Sequence, residues 1–274
     1  MHNSSRFGKI LFFSLIFILL TIAMTMTENT KRTPEHHLEN GTFVNTNGTA
    51  NNKKLKELWK WMTGKKESKA IPIEFEMVDP DLKLINQDKS FSITWIGHAS
   101  FLYQNKELNI LTDPHLTNRA SPINFAGPQR YTKPAMKFEE LPRIDFVTIS
   151  HNHYDHLDLR TVKWIAKNNP DAMFLVPLGL KKWFLDKSIN NVIELDWWES
   201  HIINDTKITF TPVQHWSSRT LFDRNQTLWG GWHIKNNYHS LIHLGDTGYS
   251  DDFKEIFKKL GPVDLALIPI GAYA

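Results

Sequence analysis

Ser150-His151-Asn152-His153-Tyr154-Asp155-His156 is the stretch on which the fold and the chemistry turn. It follows Asp145–Ser150, an apolar run that reads as a strand ending in polar residues. In an extended segment alternate side chains point the same way, so His151 and His153 stand side by side toward one position. As the chain bends toward a helix that Asp158 could cap, Asp155 and His156 swing to a second position beside the first. Four such groups, crowded together without a cation, would repel or be left unpaired. The spacing therefore fits two adjacent metal ions better than one.

Two further candidate ligands follow later strands. His215 comes after Lys207–Val213, and Asp246 comes after His239–Leu244 within Leu244-Gly245-Asp246-Thr247-Gly248. Carboxyl ends of strands are where clefts in sheet proteins tend to lie. The flanking glycines permit a sharp turn, so the Asp246 carboxylate can project and bridge two ions. The chain has no Cys, which excludes disulfides and thiolate sites. A metal must then be held by His, Asp or Glu, a donor set that selects zinc or a similar divalent ion. His98, at a turn in Trp95-Ile96-Gly97-His98-Ala99-Ser100, reads as a residue behind the ligands or as a structural one. His243 lies mid-strand and reads as a hydrogen-bonded core histidine.

Working outward, short β-like runs (Phe91–Ile96, Ser100–Gln104, Leu108–Thr112) give way to strands interleaved with helices, the pattern of sheets covered by helices in an α/β (α+β) domain over 91–274. Ser250 is placed to cap a helix that Gly261-Pro262 stops. Residues 53–90 form a lead-in with an amphipathic helix over Lys53–Thr63. Residues 27–52, polar and rich in Asn and Thr, read as a disordered linker. Arg6 and Lys9 precede an apolar run, Ile10–Met26, so residues 1–26 read as a signal peptide or a single-pass membrane anchor. A helix of that length would span ~25 Å, the lower limit for crossing a bilayer. The localisation expected is membrane-associated, through an anchor or the secretory pathway. Net charge is only +3, with no basic stripe, which argues against nucleic acid as a partner.

Together with Gly97-His98-Ala99, Leu111-Thr-Asp-Pro114, His215 and Gly245-Asp-Thr-Gly248, the ligand run resembles the metallo-β-lactamase superfamily. Within it, Arg119-Ala-Ser-Pro122, Gln214-His-Trp216, Arg219-Thr-Leu221 and Ile268-Pro-Ile-Gly-Ala-Tyr273 resemble the branch of phospholipases D that hydrolyse N-acyl-phosphatidylethanolamine. The resemblance implies an αββα sandwich and two zinc ions. His151, His153 and His215 would hold one, Asp155 and His156 the other, with Asp246 bridging. It also implies a further His on the second zinc, downstream of the Ile268–Tyr273 motif. The chain ends at Ala274, so the expectation is a C-terminally truncated sandwich whose second site lacks that ligand.

The expected reaction is cleavage of the phosphodiester of N-acyl-phosphatidylethanolamine into N-acylethanolamine and phosphatidic acid, on a phospholipid substrate at a membrane surface. Asp246 and Asp155 are the candidate catalytic carboxylates, with Asp246 orienting the attacking water. Trp216 and Tyr154 are candidate substrate contacts. Phe125, Tyr131, Trp197, Trp198, Trp216 and Trp229 are candidates for the wall of an acyl channel, with ordinary core packing expected for at least half of them. Two other readings stay open: a lactonase or nuclease on the same scaffold, and a truncated form that binds metal or lipid without catalysis.

Overall fold

The computed structural model describes residues 34–50, 76–87, 90–106, 108–123 and 125–271. The elements below belong to the compact unit His36–Ala274. The apolar run within residues 1–26 and the helix expected over Lys53–Thr63 lie outside the described residues. Among the described residues, no helix is long and apolar enough to cross a membrane.

Two mixed sheets form the body. The first orders its six strands sequentially: β1 (Ser92–Gly97), β2 (Ser100–Gln104), β3 (Asn109–Thr112), β4 (Phe146–Thr148), β5 (Met173–Pro177) and β6 (Val192–Leu195). It opens as an antiparallel meander and becomes parallel from β3 onward. The second sheet comprises β7 (Ser200–Ile203), β8 (Thr206–Thr211), β9 (Gly231–Lys235), β10 (Ser240–His243) and β11 (Leu265–Leu267), in the order β11-β10-β9-β8-β7. It is antiparallel except for the β10–β11 pair. The helices are α1 (Leu82–Gln87), α2 (Leu159–Asn168), α3 (Lys181–Leu185) and α4 (Asp252–Leu260).

Strand periodicity explains the layering. Ile110, Phe146 and Leu175 enter one core cluster with Phe210, Trp232 and Leu241 of the second sheet and with Trp229, just before β9. Their neighbours Leu111, Val147, Phe174 and Val176 enter another, with Val162 and Ile165 of α2 and Phe184 of α3. The parallel strands are thus buried on both faces, which is why they read as continuous apolar runs rather than alternating ones. Asp158 caps α2 as expected, accepting from the Arg160 N–H at 3.2 Å. At α4 the N-cap is Asp251, not Ser250, and the Ser250 hydroxyl instead donates to Asp252.

The linker expectation fails for residues 36–50. Phe43 and Val44 are buried, and Phe43 joins the core cluster between the sheets. The segment lies as a strap on the domain, with the Phe43 N–H donating to Asn225 O at 2.8 Å. Its polar composition concealed two apolar anchors among Asn and Thr residues, which carried no periodic signal.

Candidate metal centre

Topology brings the sequence-derived ligands to one edge. β1, β3 and β4 run in the same direction, so the β1–β2 turn bearing His98, Asp113 after β3 and His151 after β4 share one end of the first sheet. β8 and β10 are both antiparallel to β9, so His215 and Asp246 leave the second sheet at a common end. The sheets are stitched beside the site: the Trp232 indole donates to Ile149 O and the Gly230 N–H to Ser150 O, both at 3.0 Å.

All six expected ligands converge there, in two neighbouring donor clusters. His151, His153, His215 and Asp246 form one, and His98, Asp155 and His156 the other; within each, donor atoms lie within 4.8 Å of one another. His151 Nε2 is 2.8 Å from His153 Nδ1, which is 3.3 Å from His215 Nε2. The Asp246 carboxylate lies between the clusters, 3.8 Å from His215 Nε2 and 3.4 Å from His156 Nε2. His98 Nε2 donates to Asp155 Oδ2 at 3.0 Å, so His98 sits against this cluster, its ring braced on the carboxylate. Gly245, at φ +57, permits this approach, because a Cβ there would come within 2.5 Å of Ser150.

The donor set fits cations. His153 Nε2 and His156 Nε2 are buried with no hydrogen-bond partner. Burial first, then the neighbouring imidazoles, holds His151 well below the ordinary histidine range. Burial and His215 hold His153 at about 3, and burial outweighs Asp246 to hold His215 at about 4. These three rings are therefore neutral at pH 7, the form in which imidazole can bind a cation. Burial would raise Asp155 and Asp246, but the surrounding histidines together outweigh it, His156 with His98 and His153 at Asp155 and His156 with His215 at Asp246, and both carboxyls are held below the usual carboxylate range. For His156, burial is overcome by Asp246 and Asp155, which raise its pKa.

Asp113 organises this cluster, a role the sequence reading did not assign although the residue stood in a quoted motif. It is fully buried at φ +37, an uncommon conformation for a side-chain-bearing residue. Its Oδ1 accepts from the Ser150 N–H, and its Oδ2 from the Ser150 hydroxyl and His156 Nδ1–H, at 2.6, 2.6 and 2.8 Å. Having donated its proton, the Ser150 hydroxyl accepts from His151 Nδ1–H at 2.9 Å. One carboxylate thus turns the Nε2 lone pairs of both His151 and His156 toward the site. Two more positioning residues were missed. Asn45 of the strap accepts from the His215 N–H, and Arg219 donates to Asn152 O at 2.9 Å with its guanidinium 4.0 Å over the Tyr154 ring.

The donors open onto a cleft of about 730 Å³ with an apolar wall of Trp95, Phe101, Leu267, Ile268 and Ile270. His243 also lines it. Its ring is buried and hydrogen-bonds the backbone at Ala99, as expected of a core histidine, while Nδ1 is left without a partner. Of the aromatic residues considered from sequence, Trp197 and Trp229 are core and Phe125 and Tyr131 are exposed, so none of these four walls the cleft. Trp198 packs against the core, also outside the cleft lining. Trp216 stands over the ligands, its ring 4.4 Å from that of His153. Tyr154 faces a separate cavity of about 710 Å³ with Arg119, Arg160, Lys187 and Arg219.

Fold and site meet in the comparison with known proteins. Residues 108–274 match the family described as the beta-lactamase superfamily domain, and the chain belongs to that superfamily. With its clustered His and Asp donors, this defines a metal-dependent hydrolase fold. The chain is 41% identical over 236 residues to N-acyl-phosphatidylethanolamine-hydrolyzing phospholipase D 1 of Caenorhabditis elegans, covering 80% of this chain and 66% of that one. It is 34% identical to the mitochondrial N-acyl-phosphatidylethanolamine-hydrolyzing phospholipase D of Saccharomyces cerevisiae, covering 76% and 47%. Among solved structures, Igni18, a metallo hydrolase of Ignicoccus hospitalis, shares the fold with a TM-score of 0.52 at 22% identity, covering 66% of this chain and 71% of that one. The chain spans about half to two thirds of the length of the curated relatives it matches.

Proposed function

We propose that the domain is a zinc-dependent phosphodiesterase of the phospholipase D type, hydrolysing N-acyl-phosphatidylethanolamine to N-acylethanolamine and phosphatidic acid. The observation that carries this reading is the convergence of six His and Asp ligands, in two adjacent clusters, at the mouth of an apolar-walled cleft. The names of the worm and yeast relatives support the same substrate. His151, His153, His215 and Asp246 would hold one zinc, and Asp155 and His156, with Asp246 shared and His98 adjacent, the other. A bound pair of divalent ions lowers the pKa of water and neutralises the charge of a phosphodiester in flight.

The chain's own residues do the rest. Asp113, through Ser150, fixes the ring orientation of His151, and it holds His156 directly. Asp246, ionised and central, accepts a hydrogen bond from the attacking water and takes its proton. Water adds to phosphorus as the bond to the N-acylethanolamine oxygen breaks, and that oxygen leaves with a proton. The apolar wall of Trp95, Phe101 and Ile268 receives acyl chain and keeps bulk water from the phosphate. A phospholipid substrate implies work at a membrane surface.

The test is incubation of the zinc-loaded chain with N-acyl-phosphatidylethanolamine in mixed micelles, with products read by mass spectrometry. Paired appearance of N-acylethanolamine and phosphatidic acid supports the proposal. No turnover of this lipid, alongside hydrolysis of a lactone or a nucleic acid by the same preparation, would refute it.

A further inference from the structure

Away from the cleft, a second set of metal-binding donors lies at the start of the strap. His36 and His37 are consecutive, and both turn Nε2 onto one carboxylate. His36 Nε2 is 2.7 Å from Asp196 Oδ1, and His37 Nε2 is 2.8 Å from Asp196 Oδ2. The three donors lie within 4.8 Å of one another. The two rings meet edge to face at 4.5 Å, beside 4.4 Å for His151 and His153. Consecutive residues in a chain without helix or strand do not ordinarily aim both side chains at one point. Here a short bend in the strap achieves it, against an acid that directly follows β6.

The surroundings suit a bound ion. His36 stacks on Trp197 at 4.3 Å and His37 lies edge-on to Phe43 at 5.1 Å, so apolar rings shield the donors on one side. The three side chains keep 12%, 23% and 16% of their exposure, which leaves a path for entry from solvent. The Asp196 carboxylate is itself held, accepting from the Trp197 N–H at 2.7 Å. Two imidazoles and a carboxylate are the donors that zinc, cobalt, nickel and copper favour; calcium and magnesium prefer all-oxygen shells.

We propose that His36, His37 and Asp196 form a separate site for a divalent transition-metal ion, zinc first among them, that clasps the strap to the domain. Each imidazole coordinates as the neutral ring through Nε2, with its proton on Nδ1, and Asp196 coordinates as the anion. Three protein ligands leave a fourth position for water. An ion that holds only the folded strap stabilises it by mass action. The strap also carries Asn45, so the clasp reaches the His215 backbone without taking part in the chemistry there. The competing reading is a carboxylate hydrogen-bonded to two imidazoles with no ion.

The site is tested on the full chain by equilibrium dialysis at micromolar free zinc, with metal per chain read by plasma mass spectrometry. The wild type is compared with the His36→Gln/His37→Gln double variant and with Asp196→Asn, which keeps the size but removes the charge and one of the two acceptor oxygens. Both variants are expected to hold one ion fewer per chain than the wild type and to lose part of the zinc-dependent rise in Tm. Equal zinc content in folded variants and wild type would overturn the proposal. Should neither variant fold, zinc-edge anomalous density in wild-type crystals decides. A peak among the three side chains supports the site, and its absence at saturating zinc overturns it. Neither outcome depends on turnover of any lipid.

Discussion

Asn45 Oδ1 accepts a hydrogen bond from the backbone N–H of His215 at 3.0 Å, across 170 residues of sequence. The same oxygen accepts from the Trp229 indole, also at 3.0 Å. A carbonyl oxygen has two lone pairs, and both are used here. Asn45 is held in turn, its amide donating to Thr49 O at 3.0 Å. A segment with the composition of a linker therefore fixes the backbone of a candidate metal ligand.

Asn45→Ala is expected to leave the His215 N–H and one direction of the Trp229 N–H without their acceptor. Burying unsatisfied donors costs ~1–3 kcal/mol each, although the Trp229 indole keeps a second acceptor in Val213 O at 3.1 Å. Thermal unfolding should fall by several degrees, and zinc affinity in the cleft should weaken with it. Unchanged zinc affinity by competition with a chelating dye would show that the strap does not position His215.

Asp113→Asn keeps the shape but cannot accept from both the Ser150 hydroxyl and His156 Nδ1 as the carboxylate does. Removing the group that orients a metal-bound His lowers metal affinity by roughly 10- to 100-fold. Because Asp113 touches no candidate substrate position, KM should move less than the zinc concentration needed for half-maximal activity. Zinc titration of activity in wild type and variant reads this directly, and superimposable curves would contradict the assigned role.

Asp246→Ala and His153→Ala should each abolish phosphodiester hydrolysis. His243→Gln, at a residue that lines the cleft outside the donor clusters, should retain zinc and alter lipid turnover only in part. Product formation at wild-type rate in Asp246→Ala would remove this carboxylate from the reaction.

The metal-free chain should lose stability in acid within a defined window. Burial holds His153 at about 3 and His215 at about 4, below the ordinary value of 6.5. Between these values the unfolded chain binds more protons than the folded one, so stability rises with pH there and falls as pH drops from about 6.5 toward 4. His156, raised above 6.5, acts with the opposite sign above that pH. Denaturant midpoints of chelator-treated protein from pH 7 to 4 should fall across the window, and less steeply in His215→Gln. A flat profile would contradict the burial of these rings as neutral groups.

Much of this site was legible in the sequence because metal chemistry demands particular residue types at short spacing. His151, His153, Asp155 and His156 occupy one turn after a strand, and no ordinary packing rule produces that. His215 and Asp246 were found by their position after strands and, for Asp246, by the adjacent Gly245. Asp113 left only a weak mark, since a single Asp after a strand has many uses; its role depends on a parallel pairing of β3 and β4 that is non-local. Asn45 left none. β7 escaped notice because Ser200–Ile203 is a short edge strand whose side chains stay partly solvated, without the apolar run of the central strands. Of the acyl-channel candidates, Trp197, Trp198 and Trp229 follow the core-packing alternative, and Phe125 and Tyr131 are exposed, because bulk and proximity in sequence say nothing about which sheet face a ring occupies. Trp95 and Phe101, on β1 and β2, wall the cleft instead.

The central claim is that His151, His153, Asp155, His156, His215 and Asp246 share two neighbouring ions. Zinc-edge anomalous diffraction from crystals of the zinc-loaded chain measures this most directly. Two peaks are expected in the cleft, roughly 3.5–4 Å apart as in two-metal hydrolytic sites, with Asp246 between them. A cleft without anomalous density at saturating zinc, or peaks that these six side chains do not touch, would contradict it.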